Sequence, residues 1–530
     1  MVWNTLFVPF RMVMQVLATV LKLNLLSPAA YGLLSIVSSA NNGLGTAIDM
    51  GTQRALPKYI PETHRSGGLP ATARLLGAVF GAQMALLAAV IVGLLAFRGN
   101  ALAYLHGAIS GDSNLTQQAQ TELVAYVSSH VWLLLGVVMA LLFLGVVYDI
   151  LMAYLVSFFK QRAWNTVALV AGVLQPLLVA GALLAGWGVT GALVAIVVAP
   201  AVAVALALWS VARLAISDWR FQIGVGAIQN PKSKIQNLLP PGFIRYSGVS
   251  LLMTMTDFIA SRGFVIFLVP SLSEVALLTA GAEVVAMMLS YLFTPMVGVQ
   301  VPLFTRVRAG EGGTLNGAYQ SLVRLQLLLL VPGGVGLMLL AQPALHVLAP
   351  SYTTAAPIVW VLTPCLFIEC LLTTAHNALI VYEKLRIIVL SRVLALSVVP
   401  LVWLLAPTLG VVGVALAYGL ARLVSGLWVT ANGFRLLQLR WPWRFTGRVA
   451  LASGIMGLVV ALLTMLLPAL SLEPTVAARM QTAVLLGALA VVGAAVFVIT
   501  LRLLGGLDQS DREQLLKMKL PLKRWVTRLL

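Results

Sequence analysis

Long apolar runs separated by short polar breaks set the pattern of this chain. Runs of spanning length fall at 4–26, 29–53, 69–96, 122–156, 163–186, 188–210, 243–269, 272–302, 315–346, 352–382, 385–406, 409–436, 445–467 and 478–504. At 1.5 Å per residue, about 20 apolar residues cross a hydrocarbon core of about 30 Å. The pattern therefore predicts an all-α integral membrane protein with about fourteen transmembrane helices.

The pattern also carries an internal repeat. Lys160-Gln161-Arg162 opens one run, with Pro176 inside it and Gly188-Val189-Thr190-Gly191-Ala192 after it; Lys384-Leu385-Arg386, Pro400 and Gly410-Val411-Val412-Gly413-Val414 recur in the same order. The spacing from Lys160 to Lys384 equals that from Pro176 to Pro400. A fainter match sets Ser27-Pro28 against Ser271-Leu272. Two copies of a six-helix unit are expected. Because six is even, they would share one orientation and be related by an axis along the membrane normal. The expected organisation is an N-terminal lobe at 1–212, a cytoplasmic linker at 213–242, a C-terminal lobe at 243–440, two added helices at 441–504 and a cationic amphipathic tail at 505–530. In that tail Leu515, Leu516, Met518 and Trp525 interleave with Lys517, Lys519, Lys523 and Arg524, the pattern of a segment lying on an anionic leaflet.

Composition sharpens the class. The chain has 530 residues, 60% hydrophobic and only 9% charged, which excludes a soluble domain with a single anchor. The stretch Trp3 to Leu26 is too long for a signal-peptide core and lacks a small-residue cleavage site, so it is expected to stay as an anchor. Cys365 and Cys370 share one apolar run and suggest neither a disulfide framework nor a zinc site.

A net charge of +18 could suggest nucleic acid, but the basic residues are spread over many short loops. They fall on alternate loops, and the positive-inside rule then places both termini in the cytoplasm. The bilayer is the expected partner, and nucleic acid is not.

Charges within the runs are the candidate chemistry. Asp49, Arg54 and Asp149 fall near the inner interface and Arg262 near the outer end of the seventh run, where snorkelling is cheap. Arg11, Asp257, Glu283, Glu369 and Arg422 fall well inside. Five such charges facing lipid would cost on the order of 15 kcal/mol, so they are expected to face the bundle interior or water. Two readings stand side by side. In one, acids and arginines staple helices together, with Asp257–Arg262 or Glu369–Arg422 as pairs. In the other, Arg11, Arg54, Arg262 and Arg422 hold an anionic head group in a cavity, since a guanidinium donates bidentately and stays charged. Asp257, Glu283, Glu369 and Asp49 are then the candidates for proton or sodium coupling. His376, beside Asn377, reads as a packing residue. The sequence holds no catalytic constellation, no metal-ligand spacing and no phosphate-binding loop, so neither an enzyme nor a cofactor is expected.

Three stretches carry a family resemblance. They are Leu26-Ser27-Pro28-Ala29-Ala30-Tyr31-Gly32, Gly51-Thr52-Gln53-Arg54-Ala55-Leu56-Pro57 and Leu348-Ala349-Pro350-Ser351-Tyr352 running on to Leu362. Together they resemble the Wzx-type polysaccharide and O-antigen flippases of the multidrug/oligosaccharidyl-lipid/polysaccharide (MOP) exporter superfamily. Pro350-Ser351 stands where that pattern more often has a glycine. The resemblance implies a MATE-like pair of lobes in the bacterial plasma membrane. It implies translocation of an undecaprenyl-pyrophosphate-linked oligosaccharide to the outer face, with polysaccharide polymerase machinery as a further partner. Related lipid II flippases carry cavity arginines on their first two helices, where Arg11 and Arg54 fall here. The rival expectations are a lipid II-type flippase, a cation-coupled multidrug antiporter, and a scaffold for glycan synthesis that transports nothing.

Overall fold

The computed structural model describes residues 2–158, 160–224, 239–311, 313–466 and 475–505. The described residues form helices and no strands. In chain order these are α1 (Val2–Leu25), α2 (Pro28–Asp49), α3 (Thr52–Ala96), α4 (Arg98–Ser110), α5 (Gln117–Ser129), α6 (Val131–Ser157), α7 (Gln161–Leu184) and α8 (Gly188–Gly224). Then come α9 (Phe243–Ile259), α10 (Arg262–Val265) with a 3-10 turn at Ile266–Leu268, α11 (Leu272–Arg308), α12 (Leu315–Leu339) and α13 (Ala341–Leu348). A 3-10 segment at Pro350–Ala355 leads into α14 (Ala356–Val381), α15 (Leu385–Ala395), α16 (Val398–Leu436), α17 (Trp443–Leu466) and α18 (Val476–Leu503).

Ten stretches of the described residues are long and apolar enough to cross a membrane, and the bent pair formed by α9 with α10 and its 3-10 turn makes an eleventh. The chain is a multi-pass membrane protein. Two of the ten, Pro28–Ala96 with 69 residues and Leu385–Leu436 with 52, are far longer than one crossing requires. Left-handed residues break both. Met50 (φ 51°) and Gly51 (φ 72°) turn the chain between α2 and α3, Gly68 (φ 64°) divides α3, and Gly410 (φ 56°) divides α16. The segment 54–68, drawn as a loop from its polarity, is helical up to the break at Gly68, although it holds Pro57 and Pro61.

Contacts divide the chain into one compact unit at 1–276 and another at 277–530. In the first, α7 packs along α8 and α1, and α6 along α3 and α8. The segment 243–276, drawn with the second lobe, packs in the first unit, where α9 lies against α2 and α3. Of the expected linker, 213–224 continues α8, while 225–238 lies outside the described residues, as does 506–530 of the tail. In the second unit α14 pairs with α16, and α17 joins α12 to α18.

The repeated motifs fold alike. Lys160 (φ −79°, ψ 56°) and Lys384 (φ −84°, ψ 51°) precede α7 and α15 in nearly one conformation. Their N–H groups reach back to Leu155 O (3.0 Å) and Leu379 O (2.9 Å), five residues upstream in each copy. Gly188 and Gly410 both have φ 56°. The fainter match holds as well: Ser27 Oγ accepts from Ala30 N at 3.3 Å, and Ser271 Oγ accepts from Glu274 N at 3.2 Å. Each serine caps a helix in the same way.

Two glycines allow close backbone approach in the first unit. A Cβ on Gly32 would lie 2.1 Å from Leu272 O, and one on Gly51 would lie 2.3 Å from Ser247 O. These contacts explain the glycines of the Tyr31-Gly32 and Gly51-Thr52 motifs: α2 meets the start of α11, and the α2–α3 turn meets α9. A second clasp holds the same end of α11. The buried Asp112 carboxylate, on the α4–α5 connection, accepts from Ser273 N at 2.7 Å and from Asn114 N at 3.1 Å, an anion placed at a helix N-terminus.

Gly32→Val is therefore expected to cost about 1–3 kcal/mol or more through overpacking against a carbonyl that cannot retreat. In detergent its thermal midpoint should fall by several degrees. Gly77→Ala, with nothing within 4 Å of the added methyl, should leave the midpoint unchanged.

Candidate functional site

The intramembrane charges fall into groups, one unit at a time. In the first unit, Arg54 sits in the opening turn of α3 and faces α9. Its Nη2 lies 3.7 Å from Asp257 Oδ2, and the two side chains keep 47% and 28% of their surface exposed. That distance supports ion pairing but is too long for a hydrogen bond. Asp257 lies fourteen residues beyond Phe243, about 21 Å along α9, so it is well inside a span. One turn further along α3, Tyr59 packs edge-on against Phe243 and Tyr246, with Lys58 Nζ over both tyrosine rings at 4.9 and 4.6 Å. This aromatic packing and the close contact at Gly51 seat the first turn of α3 on α9, which is what brings Arg54 toward Asp257.

A second polar group lies behind that turn. Asp49 ends α2, and its Oδ1 accepts from Thr52 Oγ1 and Gln53 N, both at 2.9 Å. Gln53 Nε2 then donates to Asp149 Oδ1 on α6 at 3.0 Å. Gln83, almost wholly buried on α3, donates to Thr52 Oγ1 at 2.8 Å and to Asp49 O at 3.2 Å, while its own Oε1 has no hydrogen-bond partner. Two carboxylates are thus joined through one residue, Gln53, whose backbone N–H serves Asp49 and whose side-chain amide serves Asp149, beside the buried carboxamide of Gln83. Asp149 was noted from sequence only as a charge near the inner interface, and Gln53 and Gln83 were not among the candidates. Asp149 lies about a hundred residues from Asp49, and no spacing rule joins them.

In the second unit, Arg422 on α16 grips Glu369 on α14. Nε donates to Oε2 at 2.7 Å and Nη2 to Oε1 at 2.6 Å, the bidentate fork that makes such pairs strong. The Tyr418 ring lies 5.7 Å from the guanidinium. This pair is the helix staple envisaged from sequence. Nearby helices are joined by buried amides: Thr374 Oγ1 donates to Gln326 Oε1, and Asn377 Nδ2 to Gln300 Oε1, both at 2.7 Å.

Of the other candidates, Arg262 opens α10 and Glu283 lies on α11; both are partly buried and both have polar partners. Arg11 lies on α1, with its side chain outside the described residues.

No protein-family model matches the chain. No curated protein matches it either. Solved structures do. The lipid II flippase MurJ in its inward closed conformation is similar at TM-score 0.68 and 12% identity, covering 94% of this chain and 98% of that one. An inward-facing multidrug resistance MATE family transporter of the MOP superfamily is similar at TM-score 0.56 and 13% identity, covering 81% of this chain and 94% of that one. This chain has their fold. The all-α membrane architecture expected from the apolar runs, and the MOP/MATE-like fold that the resemblance implied, are the ones found.

The two arginine pairs should respond differently to mutation. Glu369→Leu alone leaves a guanidinium inside the membrane span without its partner, which should cost about 3 kcal/mol of stability or less given partial exposure, and should lower the thermal midpoint markedly. Glu369→Leu combined with Arg422→Leu should recover most of that loss. For Arg54 and Asp257, which share no short hydrogen bond, Arg54→Gln should move the midpoint little. A thermal unfolding series in one detergent checks all three variants.

Proposed function

We propose that the protein is a flippase that moves an undecaprenyl-pyrophosphate-linked oligosaccharide from the cytoplasmic to the outer face of the bacterial plasma membrane by alternating access, with both termini cytoplasmic. The observation that carries this reading is Arg54: a guanidinium within the membrane-spanning region that is drawn toward Asp257 without being hydrogen-bonded to it, and is about half exposed. Its donors remain available for the planar, bidentate contacts that suit a pyrophosphate. Arg11 and Arg262 are proposed to contribute to the same binding surface. Arg422, held by two short hydrogen bonds, is assigned to stability first. The shared fold with a lipid II flippase over 94% of the chain supports the reading. It leaves lipid II itself as an alternative glycan on the same pyrophosphate.

A second reading, cation-coupled export of small molecules, is favoured by one arrangement: the Asp49–Gln53–Asp149 relay with Gln83 beside it. Coupled carboxylates within a span suit proton or sodium exchange. The two readings join if the relay drives the flippase, with Asp49 and Asp149 as the ion-binding residues.

Proteoliposomes loaded with a fluorescent polyprenyl-pyrophosphate sugar, with and without a proton or sodium gradient, test the proposal. Wild type should expose the label to external quencher. Arg54→Gln should slow this at least about tenfold, a loss of one charge-assisted contact, and Arg54→Lys should restore part of it. Asp149→Asn should remove the dependence on the gradient while leaving gradient-free exchange. Undiminished movement in Arg54→Gln would sink the assignment of that residue, and organic-cation export without label movement would favour the second reading.

A further inference from the structure

A cavity of about 570 Å³ opens in the first unit where α7 begins and the basic part of α8 lies beside it. Lys160, Arg162 and Arg213 line it, with Trp209, Thr166 and Ser210, and among the described residues no acidic one contributes to its wall. Three cations gathered without a carboxylate repel one another and await an anion. The local structure adds to this. No side chain caps α7, so the N–H groups of its first turn point outward near the cavity with the positive end of the helix dipole. The Arg213 guanidinium lies 5.5 Å from the Trp209 ring centre, a stacking that fixes its direction. Trp209 and Trp164 are both exposed, as aromatic side chains are at the level of lipid head groups.

From these features, the geometry points to a binding site for a negatively charged, hydroxylated phosphate head group, taken from an anionic phospholipid or from a soluble phosphate ester of the same chemistry. The cations and the α7 N–H groups supply donors to the phosphate. The hydroxyls of Thr166 and Ser210 already donate to Arg162 O at 2.9 Å and Leu206 O at 2.8 Å. Toward a ligand they can only accept, which suits a glycerol hydroxyl. An amine-bearing head group finds three like charges and no carboxylate, and is disfavoured. This site is separate from the Arg54 group and stands whether or not the protein is a flippase.

The internal repeat supplies a control. Lys384 and Arg386 match Lys160 and Arg162, and Arg435 stands as far beyond Gly410 as Arg213 stands beyond Gly188, but Ala431 occupies the place of Trp209. The same charges recur without the ring that orients one of them.

The test is binding of fluorescent phosphatidylglycerol to full-length protein in phosphatidylcholine nanodiscs. Arg162→Gln with Arg213→Gln should weaken binding at least about tenfold, and Arg386→Gln with Arg435→Gln less than about twofold. Equal thermal midpoints for both double variants establish that they are folded. Unlabelled phosphatidylglycerol should compete, and phosphatidylethanolamine should not. If glycerol 3-phosphate competes at comparable concentration, the source is soluble phosphate; if it fails, the source is lipid, and either result upholds the site. Equal losses in the two double variants, or equal competition by phosphatidylethanolamine, would overturn it by reducing the effect to general basic charge.

Discussion

A guanidinium cannot rest in hydrocarbon uncompensated, and this chain answers that constraint in two ways. Arg422 is neutralised by a carboxylate on the neighbouring helix through two hydrogen bonds near 2.7 Å. Arg54 is held near a carboxylate at 3.7 Å, close enough to lower its electrostatic cost and too far to occupy its donors. The energetic logic of a buried pair rewards the first arrangement only for excellent geometry and penalises the second. A span that keeps the second arrangement does so where water or a polar ligand supplies the missing contacts.

What positions Arg54 is backbone geometry. Two left-handed residues, Met50 and Gly51, turn the chain sharply after α2, and the missing Cβ at Gly51 lets that turn lie against the Ser247 carbonyl. The turn then delivers three side chains to three places. Asp49 folds back onto Gln53 N, Gln53 Nε2 reaches the α6 carboxylate, and Arg54 faces α9. One short motif thereby ties the acid relay to the cationic group. A rotation of the α2–α3 turn would act on both at once.

The helices were legible wherever an apolar run met a strong break. The runs drawn at 29–53, 163–186 and 445–467 match α2, α7 and α17 within a few residues. Legibility failed where polarity and helicity part company. The polar segment after Gly51 is helical despite two prolines, and the run drawn at 122–156 divides at His130 into α5 and α6. Depth along a run found the charges worth attention, and Glu369–Arg422 was one of the pairs it offered. It set Asp149 aside as an interfacial charge, because depth judges residues singly, and the value of that carboxylate comes from Gln53 on another helix.

The repeat shows how far local sequence dictates local structure. Lys160 and Lys384 differ by a few degrees in backbone angle and make the same five-residue hydrogen bond, although their flanking sequences share little beyond the basic pair and the proline. Conformation therefore follows from a few turn residues, while chemistry is free to diverge around them. The first copy has Trp209 beneath an arginine, and the second has Ala431 at the matching place. The first unit also holds the acid relay and the loosely held arginine; in the second, the intramembrane arginine is tied down. A repeated local backbone geometry thus carries an asymmetric set of charges.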